Sequence, residues 1–216
     1  MKNQVGIIGL GKFGLKFGEI LVSLGQEVLG VDRNPDKIKQ AQNSLTHVYQ
    51  LDAMNREGLE QIRIHDLEQV LVSVGDSIAA SVMISMYLKE MGVKKVWGKA
   101  INKDHQKVLY KIGVDEVIIP EFMAAERVAN RIAMPGFIEQ LPFDKTMAVK
   151  ELKVKEWAGK SLIELDLTNK LGIQVIAVRG RLEEEYHFIP KASEIFHEGD
   201  SIVAIGKITK MGDIIS

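Results

Sequence analysis

The chain has 216 residues, 46% of them hydrophobic and 26% charged, proportions that supply enough apolar surface for one large core or two small ones. Lys plus Arg number 28 against 29 Asp plus Glu, for a net charge of -1; no basic stripe is visible, which argues against nucleic acid as a partner because phosphate contacts need a clustered basic surplus. The complete absence of cysteine excludes a disulfide framework, a thiolate zinc site and a cysteine nucleophile, and suits a reducing compartment.

The N-terminus enters a β-branched run at Val5, leaving no room for a signal peptide. The longest apolar stretch, Ile78 to Leu88, is interrupted by serines and is far shorter than the roughly 20 residues a membrane-spanning helix needs. The expectation is a soluble, cytoplasmic protein. Up to residue 119 short β-branched runs alternate with stretches of helical length. The runs are Val5 to Ile8, Glu27 to Val31, Thr46 to Gln50, Gln69 to Ser73, Lys95 to Lys99 and Glu116 to Ile119; the helices are Lys12 to Leu24, Pro35 to Gln42, Ser77 to Met91 and Lys103 to Ile112. Asn34, Asp76 and Asn102 stand where helix caps belong. Strands joined by crossover helices predict an α/β fold over 1–119, a Rossmann-like, doubly wound parallel sheet.

Pro120 then opens an amphipathic helix, Glu121 to Met134, ended by Pro135-Gly136. Its Phe122, Ala125, Val128, Ala129 and Ile132 form an apolar stripe that reads either as a pairing surface or as core within the chain. With this crossover helix and linker over 120–142, the remainder, 143–216, reads as a second, smaller α+β domain. Its strands are Met147 to Val154, Ile173 to Arg179, His187 to Ile189 and Ser201 to Gly206, with a short helix near Ser161 to Asp166; the acidic run Glu183-Glu184-Glu185 reads as a solvated hairpin flank.

The chemistry is concentrated in Gly9-Leu10-Gly11-Lys12-Phe13-Gly14, which follows the first strand and opens the first helix. Gly9 permits a tight turn, Gly11 lets backbone approach a phosphate, Gly14 lets helix and strand pack, and the helix N-terminus offers N–H groups to an anion. Asp32 ends the second strand, where a carboxylate can accept both ribose hydroxyls. It would repel a 2′-phosphate, which disfavours NADP despite the adjacent Arg33 and leaves NAD, ATP or ADP. A dehydrogenase would need an acid or base from the second domain. His187 and His197 there have no carboxylate partner suggested by spacing, and the scattered histidines offer no zinc motif.

Beyond the glycine motif, the chain resembles the RCK domains, the cytoplasmic regulators of potassium conductance of KtrA and TrkA type. In the first domain the resemblance is carried by Val5 to Gly14, Gly30 to Pro35, Leu51-Asp52-Ala53, Lys99-Ala100, Gly113-Val114-Asp115 and Val117 to Glu121. In the second it is carried by Ala158 to Leu162, Leu165-Asp166-Leu167, Val175 to Arg179, Ile189-Pro190 and Glu198 to Gly206. It implies an RCK N domain followed by an RCK C (TrkA-C) domain, no enzymatic activity, and an ATP or ADP site. Gly9, Gly11 and Gly14 would form the phosphate turn, with Lys12 and Phe13 opening the helix. Asp32 and Arg33 would lie at the ribose, Asp52 and Ala53 near the adenine, Val74-Gly75 as a wall for the base, and Lys99 near the phosphates.

The family usually carries Arg at the position of Lys12; Lys keeps the charge but loses the bidentate fork, so NAD(H) binding stays open. Glu121 matches a position that helps hold Mg2+ or another divalent cation, and it also reads as a helix N-terminal carboxylate stabilised by the dipole. Some family members bind cyclic di-AMP in the second domain, at the symmetric cleft of a dimer. Arg179, Ile189 and Pro190 stand at approximately corresponding places, although they also read as a turn and an edge-strand end. The resemblance further implies dimers assembling into an octameric ring beneath an integral membrane potassium-translocating subunit of the KtrB/TrkH kind, with the chain peripheral to the inner face of the membrane.

Overall fold

The computed structural model describes residues 4–133, 136–140, 144 and 146–212. Met134, Pro135 and the Leu141-Pro142 pair, which figure in the expected helix end and linker, lie outside the described residues. The chain divides into two compact units, Met1–Met123 and Ala124–Ser216.

The first unit alternates strand and helix: β1 (Gln4–Ile8), α1 (Lys12–Ser23), β2 (Glu27–Asp32), α2 (Pro35–Ala41), β3 (His47–Gln50), α3 (Arg56–Gln61), a single 3-10 turn (Ile64–Asp66), β4 (Gln69–Val72), α4 (Ile78–Glu90), β5 (Lys95–Lys99), α5 (Lys103–Lys111) and β6 (Glu116–Ile118). All neighbouring strands pair in parallel, in the order β3-β2-β1-β4-β5-β6. Because both faces of such a sheet are covered, a central strand is apolar at successive positions rather than alternate ones. In β1, Ile7 packs with Leu10, Leu15 and Leu71 on one face, and Ile8 packs with Val72, Ile84 and Leu88 on the other. The strand order reverses between β1 and β4, and the crevice at the carboxyl ends of the strands opens at that point.

The helix starts follow local capping chemistry. Asn34 accepts from the Asp36 amide at 2.8 Å and Asn102 from the His105 amide at 2.8 Å. The cap of α4 is Ser77, accepting from the Ala80 amide at 3.1 Å, one residue later than the expected Asp76. Asp76 lies instead 3.9 Å from the Arg33 guanidinium. The helix α3, absent from the sequence reading, is short and contains Gly58, but Asn55 caps it at 3.3 Å.

Helix α6 (Pro120–Ala133) crosses the division between the units. None of its residues is buried; Phe122, Val128 and Ile132 are 48%, 55% and 77% exposed. Of the two readings of its apolar stripe, core within the chain is not what the structure shows.

The second unit is a five-stranded antiparallel sheet in the order β10-β9-β11-β8-β7. Its strands are β7 (Phe137–Gln140), β8 (Met147–Lys153), β9 (Gln174–Arg179), β10 (His187–Phe188) and β11 (Ser201–Lys207), with short helices α7 (Leu162–Leu165), α8 (Leu167–Leu171) and α9 (Ile208–Gly212). Leu152, Leu165, Ile173, Phe196 and Ile202 form its core. A reciprocal capping box of Ser161 and Glu164 starts α7. β7, α8 and α9 add to the expected elements, and each is too short to show a period.

Candidate nucleotide site

At the carboxyl ends of the parallel strands the first unit contains a cleft of about 560 Å³. Its floor is the turn after β1. Gly9 sits at φ +98, where a side chain is strained, and a Cβ on it would lie 2.8 Å from the Ser73 carbonyl oxygen. A Cβ on Gly14 would lie 2.0 Å from the Gly9 carbonyl oxygen, so Gly14 lets α1 rest directly on the turn. At Gly11 a Cβ would meet nothing within 4 Å, because this residue fronts the open cleft. Gly11 is also the N-cap of α1; it supplies no side-chain hydrogen bond, and no acidic residue occupies the first turn. The first amides of a helix have no intrahelical acceptor. Here they are left to the cleft, where the helix dipole favours an anion.

Asp32, at the end of β2, is 7% exposed. Its Oδ2 accepts from the Leu10 amide at 2.8 Å and from Lys37 Nζ at 3.2 Å, and its Oδ1 accepts from the Asn34 amide at 2.9 Å. The carboxylate is therefore held at fixed orientation where it lines the cleft. Asp52, after β3, turns the chain by accepting from the Met54 amide at 3.0 Å. Beside it Ala53 is buried. Val74 and Gly75 follow β4 and line the cleft.

At the other end of the cleft, Lys99 closes β5. Its ammonium lies 2.8 Å from Glu121 Oε1, in the first turn of α6, and 5.7 Å from the centroid of the Phe13 ring. The hydrogen bond from Lys99, together with one from its own backbone amide, holds the Glu121 carboxyl below the usual glutamate range. Lys12 is exposed at the mouth.

Of the thirteen residues expected at a nucleotide, twelve line this cleft: Gly9, Gly11, Lys12, Phe13, Asp32, Arg33, Asp52, Ala53, Val74, Gly75, Lys99 and Glu121. Gly14 stands behind it as a packing residue. Asn34 and Asp76, expected only as helix caps, also line it, as do Lys37, Met54 and Ser77, none of which was expected at the site. Lys37 had a legible signal, since it follows Asp32 by five residues in the first turns of a capped helix. Among the described residues no group of three or more His, Asp or Glu could hold a metal. Glu121 alone does not make a cation site; a cation there would need further ligands, of the kind that Mg2+ takes from substrate phosphates.

In the second unit, Pro190 lines a depression of about 300 Å³ with Ile163, Leu167, Thr168 and Gln174. Ile189 precedes it at φ 57 and is 88% exposed. Arg179 is not among the lining residues; it reaches Glu151 at 3.3 Å and Ser201 Oγ at 3.4 Å, and lies over the Tyr186 ring at 4.6 Å. Contrary to the expectation from spacing, both histidines of this unit do have carboxylate neighbours. His187 contacts Glu194, and His197 Nδ1 lies 3.6 Å from Asp200.

Among the described residues, no helix is long and apolar enough to cross a membrane. The TrkA-N domain model matches residues 5–120 and the TrkA-C domain model residues 149–215. The chain is 32% identical over 211 residues to the Ktr system potassium uptake protein C of Bacillus subtilis, covering 97% of this chain and 94% of that protein. It is 31% identical over 211 residues to the Ktr system potassium uptake protein A of Vibrio alginolyticus, covering 97% and 95%. Among solved structures, the GsuK channel bound to NAD aligns with 98% of this chain at a TM-score of 0.57 and 19% identity. GsuK bound to ADP aligns with 60% of it at 0.52 and 18%. The aligned parts make up 37% and 34% of those longer chains.

Proposed function

Since the chain belongs to the family of TrkA-N and TrkA-C domain proteins that includes the Ktr potassium uptake proteins, we propose that it is a non-enzymatic, nucleotide-sensing regulatory subunit that gates a potassium-translocating membrane protein. One observation carries this reading: a single cleft brings together the uncapped N-terminus of α1, the anchored Asp32 carboxylate and the Lys99 ammonium. Those three groups match the phosphates and the ribose of one nucleotide.

ATP and ADP are the proposed ligands, because the end of the cleft away from Asp32 carries Lys12 and Lys99, two cations suited to a terminal phosphate. Asp32 and Arg33 take the ribose, Asp52 and Ala53 the adenine edge, and Val74-Gly75 the base face. Mg2+ or another divalent cation would sit between Glu121 and the phosphates. Chains pair along the exposed stripe of α6, and such dimers build an octameric ring under a KtrB/TrkH-like subunit at the inner face of the membrane. ATP and ADP then act by preferring different ring shapes; a nucleotide bound equally well by both shapes shifts nothing. Cyclic di-AMP is a second proposed ligand, placed at the Pro190 depression of the second unit.

Calorimetric titration of the chain with ATP, ADP, NAD and NADH tests the assignment, with Asp32→Ala as the control. Unequal binding of ATP and ADP that is lost in the variant supports it. Tight NADH binding with equal or absent ATP and ADP binding refutes it in favour of a second reading, an NAD(H)-responsive regulator, for which the NAD-bound GsuK structure is the motivating observation. A small NAD(H)-dependent oxidoreductase would further require hydride transfer, visible as a change in nicotinamide absorbance.

A further inference from the structure

Lys99 is the least exposed of the cleft cations whose ion pairs define it. Its side chain is 15% exposed, against 37% for Lys37 and 72% for Arg33. A cation this enclosed needs a counter-charge, and the group that supplies it is the carboxylate of Glu121, 2.8 Å away. The same ammonium lies over Phe13, in the first turn of α1, and so beside the helix N-terminus that a phosphate would approach. A terminal phosphate and Glu121 therefore call on one cation.

We propose that Glu121 is an internal competitor of the ligand's phosphate chain: it holds Lys99 in the empty cleft and yields it to a terminal phosphate, which makes Glu121 a specificity-determining residue for phosphate charge. This deepens the nucleotide reading and rests on it. A ligand without phosphates leaves the pair intact. A ligand with a terminal phosphate must displace a carboxylate that is itself 62% exposed, an exchange that water and ligand charge make feasible. Once displaced, the carboxylate faces phosphate oxygens of like charge. One carboxylate and several phosphate oxygens are a donor set that Mg2+ accepts, so the cation and the phosphate bind as linked partners, while Lys99 denies Glu121 to the cation when phosphate is absent.

The test uses the full chain in EDTA, titrated with adenosine, ADP and ATP, in the wild type, Glu121→Gln and Lys99→Met, with thermal melting to confirm folding. Removing the competitor should tighten ADP and ATP about two- to fivefold in Glu121→Gln, the range of a partly exposed ion pair, with adenosine unchanged. Lys99→Met should weaken ADP and ATP and also leave adenosine unchanged. Repeating the titrations with Mg2+ should show an affinity gain in the wild type that Glu121→Gln lacks. Unchanged or weaker metal-free binding of ADP and ATP to Glu121→Gln overturns the exchange while leaving the nucleotide site standing. Absence of adenosine and ADP binding to the wild type overturns the nucleotide reading and the exchange with it.

Discussion

The amide nitrogen of Leu10 lies 2.8 Å from Oδ2 of Asp32, so the turn proposed to cradle phosphate and the carboxylate proposed to hold ribose are one hydrogen-bonded unit. Truncating Asp32 acts on both. Asp32→Ala leaves the Leu10 and Asn34 amides without their acceptor; Asn34 is exposed and can turn to water, but the stranded buried Leu10 donor costs about 1–3 kcal/mol. Asp32→Ala should lower the denaturation midpoint and abolish nucleotide binding together. Asp32→Asn, with one acceptor oxygen in place of two, should fall between. A variant that melts like the wild type would show that the turn holds its shape without the carboxylate.

The glycines separate folding from binding. At Gly14 a methyl group would sit 2.0 Å from the Gly9 carbonyl oxygen, a backbone atom that cannot swing away, so Gly14→Ala should destabilise the first unit by about 3 kcal/mol. Gly11 has φ -70 and open space around its Cβ position. Gly11→Ala should keep the wild-type melting temperature and lose nucleotide affinity, because the methyl group fills the approach that a phosphate needs. Thermal melts and titrations of the two variants check the contrast; equal effects on both measurements would refute it.

This contrast also marks how much could be read in advance. The motif Gly9-x-Gly11-x-x-Gly14, its strand and its helix were legible because Gly9 and Gly14 answer backbone demands of the turn and Gly11 keeps the approach to it open, all within six residues. The Lys99–Glu121 pair was not, because it depends on which strands become neighbours, and β5 and the start of α6 are brought to β1 only by the sheet order; Lys37, five residues after Asp32, is a local contact that the spacing carries. The cap of α4 shows a subtler limit. Asp76 and Ser77 are adjacent and both are good caps, so the sequence does not separate them; in the structure Ser77 takes the cap and Asp76 lies 3.9 Å from Arg33. In the second unit the placing of Arg179 was illegible for a similar reason, since Glu151, Tyr186 and Ser201 come from three separate segments.

The uncovered stripe of α6 predicts self-association. Val128 and Ile132, 55% and 77% exposed, lie one turn apart on the same face. Val128→Glu with Ile132→Glu should reduce the light-scattering mass toward that of a monomer. Since neither side chain is buried in the single chain, the melting of an already monomeric sample should not change. An unchanged mass would remove α6 from the pairing surface.

Arg179 should behave as a structural residue of the second unit. It joins Glu151, Ser201 and the face of Tyr186, while the Tyr186 hydroxyl donates to Glu151 at 2.6 Å. Arg179→Ala should cost about 1 kcal/mol of stability through the lost hydrogen bonds and leave the proposed cyclic di-AMP binding at the Pro190 depression unaltered. A charge placed in the Pro190 depression, as in Ile163→Glu, should abolish that binding. Loss of cyclic di-AMP affinity in Arg179→Ala, at unchanged stability, would reverse the assignment.

His105 carries a pH dependence whose sign is fixed by its surroundings. It is 2% exposed on α5, its Nδ1 accepts from the Ile101 amide at 3.4 Å, and its Nε2 has no partner among the described residues. Burial lowers its pKa, whereas in the unfolded chain it titrates near the ordinary value of about 6.5. Between those two values the unfolded state binds more protons than the folded one, so stability falls as pH falls. The contribution is fully present above about pH 6.5 and is lost progressively toward the depressed folded value. His105→Gln, neutral throughout and still able to accept from Ile101, should remove this slope. Urea midpoints at about pH 5.5 and pH 7.5, compared between the wild type and the variant, isolate His105 from the other four histidines. Equal slopes in the two proteins would show that protonation of His105 is accommodated without unfolding.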